Sequence, residues 1–114
     1  MRPRVFIPNL PTRFDPVADC RVASVDISDA LRFGELDYFN HIGMQPSPNV
    51  LETMILNIRT KVKGFYKPDD FILAIGDPIL IAAAIHYALE ESRVVNVLRW
   101  SRADRAYRCL PITM

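Results

Sequence analysis

Asp70-Phe71-Ile72-Leu73-Ala74-Ile75-Gly76-Asp77-Pro78-Ile79-Leu80-Ile81-Ala82-Ala83-Ala84-Ile85 reads as a buried strand, a sharp turn and a buried helix. The apolar run 71–75 suits a strand covered on both faces. Asp77 can accept a hydrogen bond from an orphan N–H of a first helical turn, and Pro78 has no N–H to lose at the position after it. Gly76-Asp77-Pro78 is therefore read as a structural helix cap. A carboxylate at the positive end of the helix also repels phosphate, so the turn does not look like an anion site. The helix of 78 to about 91 is apolar on nearly every side. Its three consecutive alanines suggest close approach to a sheet, with Ile79, Ile81, Ile85 and Leu89 expected to supply the burial. Val94 to Trp100 is β-branched and completes a strand–helix–strand unit, whose crossover is right-handed by rule.

Outward from this unit, Ala106 to Ile112 pairs naturally with 94–100 as a C-terminal hairpin, with Pro111 on the edge. On the other side, Leu51, Met54, Ile55, Ile58, Val62 and Phe65 recur at spacings of three and four, the stripe of a helix over 48–64. Ser47 stands at its N-cap, Pro48 at its first position and Gly64 at a left-handed stop. Asn40 to Pro48 reads as a loop, and 35–39 as a strand. Ser28 to Ala30 reads as a turn or short helical turn, and 22–27 as weakly strand-like. The first 21 residues carry Pro3, Pro8, Pro11 and Pro16; Val5-Phe6-Ile7 suits a short edge strand there, and 11–21 an irregular loop. The fold class expected is α/β: a single domain over 1–114 with a mixed sheet of four to five strands, a βαβ unit, two main helices and a C-terminal hairpin.

The chain has 114 residues, half of them apolar, and a formal net charge of +1. That length buries a core without disulfides or a metal. A near-neutral balance points to no polyanion partner in bulk, so a nucleic-acid site would need a local patch. Cys20 and Cys109 read as reduced thiols of a cytosolic protein. The opening residues lack an apolar run and a cleavage site, and no run is long enough to span a bilayer. The expectation is a cytoplasmic protein with no membrane partner.

No catalytic constellation, metal-ligand spacing or cofactor motif stands out, so the expected catalytic, metal and cofactor sets are empty. His41 and His86 are isolated from each other and from both cysteines. Asp69 and Asp70 read as a solvated loop rather than a working carboxylate pair. The one chemical signal is the C-terminal hairpin. Arg93, Arg99, Arg102, Arg105 and Arg108 surround Trp100 and Tyr107, with Asp104 the only acid among them. Arginines position phosphates and aromatics stack on unpaired bases. The same arginines also solubilise an exposed edge, while the aromatics pack a core.

Phe33-Gly34-Glu35-Leu36, the 69–78 stretch with Ile81 to Ala84, Leu98-Arg99-Trp100 and Tyr107 together resemble a group of small proteins encoded by tailed bacteriophages. The resemblance spans about the last two thirds of the chain plus the Val5-Phe6-Ile7-Pro8 start. It implies an origin, in the host cytoplasm, and brings no catalytic residues. The leading functional expectation is a non-catalytic module that binds a protein partner or its own copy, with edge strands available for pairing. Alternatives are a nucleic-acid-binding factor using the arginine-rich hairpin, and a small-molecule-binding domain using the strand ends near Gly76.

Overall fold

The first strand, β1 (Arg4–Ile7), is central rather than marginal: Val5, Phe6 and Ile7 are all fully buried, which only a strand covered on both faces allows. The computed structural model, described here for residues 2–40 and 47–113, places β1 second in a five-stranded sheet. The sheet order is β4-β1-β5-β6-β7, with β4 (Glu35–Tyr38), β5 (Phe71–Leu73), β6 (Val94–Ser101) and β7 (Ala106–Thr113). The first four in space are parallel, and β7 runs antiparallel to β6. The edge-strand reading of 5–7 is thus corrected. Pro3 and Pro8 flank β1 instead of interrupting it, and the Pro3 carbonyl accepts the Glu35 N–H at 2.9 Å. A Cβ on Gly34 would lie 2.2 Å from that same carbonyl, so the strand start needs a residue without one.

The βαβ unit stands: β5 and β6 are parallel, with Phe71 opposite Asn96 and Leu73 opposite Leu98, and α2 (Pro78–Glu91) joins them. α1 (Pro48–Phe65) joins β4 to β5. Met54, Ile58 and Val62 of α1 share one core with Leu80, Ala84 and Ala88 of α2 and with Phe6, Ile72, Val95 and Val97 of the sheet. Both helices therefore cover the same face. On the opposite face Val5, Ile7, Leu73, Leu98 and Tyr107 pack with Ile27 and Ala30, from a short 3-10 helix (Ser28–Arg32) and the residue before it. Right-handed crossovers account for the split: β1 to β4 steps one way along the sheet, and β4 to β5 and β5 to β6 step the other.

Four expectations are corrected. The 11–21 segment is not irregular: β2 (Thr12–Asp15) and β3 (Cys20–Ala23) form an antiparallel hairpin, with Asp19 at φ 53 in its turn. Pro11 precedes the ladder and Pro16 follows it, so neither removes a bond. In α2 the buried positions are Leu80, Ala84 and Ala88, while Ile79 is 55% exposed and Ile81, Ile85 and Leu89 are only partly covered. A helix apolar all round carries no polar face to fix its rotation, so the small alanines settle the close contact. Gly64 lies inside α1, which ends at Phe65 with the following Tyr66 extended. Ser47 is the N-cap residue, but its side chain makes no capping bond. His41 and most of the 40–48 loop lie outside the described residues.

Candidate functional site

The carboxyl ends of β1 and β5 meet where their connections leave to opposite faces, the usual crevice of an open α/β sheet. Here that crevice is closed. Gly76, at φ 97, passes so near Asn9 that a Cβ would sit 2.1 Å from its carbonyl oxygen. The Asp77 N–H donates to Asn9 Oδ1 at 3.3 Å, and Asp77 Oδ1 accepts the Ile79 N–H at 2.8 Å. Gly76, Asp77 and Pro78 are thus fully engaged in the turn and the helix start.

One strand over, at the carboxyl ends of β5 and β6, the chain leaves a hollow of about 600 Å³. Its apolar lining is Val25, Ile75, Trp100 and Tyr107, and its polar lining is Asp26, Ser28, Asp29 and Arg105. Trp100 and Tyr107 face each other across β6 and β7 and meet edge to face, centroids 5.1 Å apart. Tyr107 is buried, but Trp100 and Val25 are each 42% exposed. Burial first, then the Asp29 and Asp26 carboxylates, raises the Tyr107 phenol above its ordinary value, so it stays neutral. The backbone N–H of Ser28 holds the exposed Asp26 carboxyl at 2.8 Å and lowers its pKa.

The strand pleat distributes the arginine-rich hairpin. Arg99 and Arg108 are register partners one step from Trp100 and Tyr107, so they emerge on the opposite face of the sheet. Arg93 precedes β6 and lies at its far end. Arg108 is paired with Asp104, which Ser101 also bonds at 2.8 Å. Those bonds depress the Asp104 carboxyl, and Asp104 in turn raises Arg108. Arg102 and Arg105 occupy the β6–β7 turn, Arg105 at φ 52. Among the described residues, Arg93, Arg99, Arg102 and Arg105 enter no ion pair. Of the seven hairpin residues singled out in the sequence, the hollow thus collects Trp100, Arg105 and Tyr107.

Sequence reading missed the other wall. Asp29 Oδ2 accepts the Tyr107 N–H at 2.8 Å, and Arg32 Nη2 donates to the Tyr107 carbonyl. Asp29 and Arg32 also pair with each other at 3.3 Å. The only local hint was Asp26-Ile27-Ser28-Asp29, whose acid-x-hydroxyl spacing suits an Asx turn. Nothing local could show that this turn would reach Tyr107, 78 residues further along.

Elsewhere, Asp70 overturns the solvated-loop reading: it is only 4% exposed, and its two oxygens accept the N–H groups of Arg4 and Lys67, each at 2.9 Å. His86 is exposed and lies 3.5 Å from Glu90. Cys20 and Cys109 are free, exposed thiols, and partial burial raises that of Cys109. Among the described residues no group of three or more His, Cys, Asp or Glu could hold a metal, and no helix is long and apolar enough to cross a membrane.

Fold and hollow together define a small α/β domain with an aromatic-floored recess beside its strand ends. The chain belongs to the Phage Pam3 gp32-like protein family, whose model matches residues 3–114. That match extends through the N-terminal third, beyond the stretch over which the sequence resemblance was read. No curated protein and no solved structure matches the chain.

Proposed function

We propose that this phage protein is a non-catalytic accessory module that binds another protein through the hollow at Trp100. The observation that carries the reading is Trp100 itself. A tryptophan half exposed over an apolar floor of Val25, Ile75 and Tyr107 is the kind of anchor point that dominates protein interfaces. The sheet edges support docking by side chains rather than by strand pairing. Tyr107 turns its N–H and C=O outward from β7, and Asp29 and Arg32 occupy both. Two residues on, Cys109 faces outward, and then Pro111, which has no N–H to offer. The other edge, β4, is four residues long, with Lys61 on the Tyr38 carbonyl at 2.9 Å. Such edges resist a second copy adding a strand.

The nucleic-acid alternative draws on Arg102 and Arg105 beside Trp100. Against it, the remaining arginines are paired, remote or on the other face, and two carboxylates line the hollow. The test is affinity purification of tagged protein from infected cells, comparing the native chain with Trp100→Ala and with Arg102→Glu/Arg105→Glu. The reading expects one phage or host protein in near-equimolar amount, lost at least about thirtyfold in Trp100→Ala. Recovery of single-stranded nucleic acid, falling steeply with salt and lost in the double arginine variant, would replace it with the alternative. Capture indifferent to Trp100→Ala would remove the hollow from the interface.

A further inference from the structure

The hollow is charged as well as apolar, and two of its three charged residues, Asp26 and Arg105, have no ion-pair partner among the described residues. Asp26 and Arg105 line the same recess but come from separate segments, the stretch before the 3-10 helix and the β6–β7 turn. No salt bridge joins them, and among the described residues neither forms an ion pair with any other group. Asp29, the remaining charged residue of the lining, is already committed to Arg32 and to the Tyr107 N–H. The recess therefore offers one carboxylate and one guanidinium beside a floor of Val25, Ile75, Trp100 and Tyr107. The Ser28 N–H anchors Asp26, and Arg105 sits at a left-handed turn position.

Resting on the protein-binding reading above, we infer that the occupant is a partner segment bearing an apolar side chain flanked by one basic and one acidic side chain. The apolar group fills the floor against Trp100, the basic group meets Asp26 and the acidic group meets Arg105. A polyanion satisfies only Arg105 and is repelled by Asp26, and a purely basic segment has the reverse difficulty. Charge complementarity of this kind selects among partners more than it raises raw affinity.

The probes are short acetylated and amidated peptides: Lys-Phe-Glu and Glu-Phe-Lys, with Ala-Phe-Glu, Lys-Phe-Ala and Ala-Phe-Ala as controls. The readout is the indole N–H resonance of Trp100 in the intact, isotope-labelled protein, which contains a single tryptophan. A doubly charged peptide in one of the two orders is expected to bind about tenfold more tightly than Ala-Phe-Ala. Asp26→Asn should remove the advantage of the lysine, and Arg105→Gln that of the glutamate, with the rest of the amide spectrum unchanged. Equal binding of Ala-Phe-Ala, or dependence on only one of the two charges, overturns the bipolar inference and leaves the docking reading standing. If no peptide shifts Trp100 up to about 20 mM, the inference falls. The docking reading falls with it only if capture from infected cells is also indifferent to Trp100→Ala.

Discussion

At the scale of single residues, Asp70 carries more than its place before β5 suggests. Its carboxylate ties the α1–β5 connection to the first residue of β1, so removing it leaves two N–H groups without their acceptor. Asp70→Ala should cost about 2–3 kcal/mol by chemical denaturation. Asp77 caps α2 by accepting the N–H two residues later, a contact visible in the sequence because donor and acceptor are close in the chain. Asp70 reaches back 66 residues to Arg4, and no local pattern encodes that. Gly76 combines a left-handed backbone with contact against Asn9, so Gly76→Ala should lower stability by more than about 1 kcal/mol, measured by thermal unfolding. Tyr66 has the opposite character. Its hydroxyl is buried with no hydrogen-bond partner among the described residues. Burial, and then the Asp70 carboxylate, push the phenol up to about 12. An unfolded tyrosine ionises near 10. The native state therefore holds this proton more tightly, and the associated stability is intact below about pH 10 and lost as pH rises through 12. Tyr66→Phe should match or exceed the native melting temperature at neutral pH. Its advantage should widen over that alkaline interval.

At the scale of elements, the legible parts were those whose pattern is local. The α1 stripe placed Met54, Ile58 and Val62 in the core, with Leu51 and Ile55 packed at its margin, because polar residues mark the opposite face; Phe65, the stripe's last position, is exposed instead. α2 lacks that contrast, and its buried line of Leu80, Ala84 and Ala88 is fixed by α1 and the sheet instead. The β2–β3 hairpin was not legible because its strands are four residues each and largely exposed, and β2 lies between Pro11 and Pro16. The hollow was half legible: Trp100 and Tyr107 stand in a readable strand pair, while Asp26 and Asp29 arrive from a distant segment. The 3-10 helix has a second role as a guard on β7. Asp29→Ala with Arg32→Ala would free the N–H and C=O of Tyr107 beside those of Cys109. That variant should show a mass rising with concentration in light scattering, with the native chain expected to show none through this edge. A double variant that stays as monodisperse as the native chain would show that Pro111 and the exposed arginines suffice to blunt the strand.

For the whole molecule, the α/β class followed from one stretch of sixteen residues, yet the strand order did not. A right-handed βαβ unit places β5 beside β6, and a hairpin places β7 beside β6, but neither says where the N-terminal strand goes. Full burial of Val5, Phe6 and Ile7 puts it between β4 and β5. Its neighbours in the sheet are thus made of residues 35–38 and 71–73. The earliest strand of this sheet in chain order must wait for residues 71–73 before both of its flanks are filled. In this topology β1 gains its second neighbour only once β5 has been made, and β5 gains its own only once β6 has. A chain ended before Val94 should accordingly lack the cooperative unfolding transition of the full length, in either heat or urea.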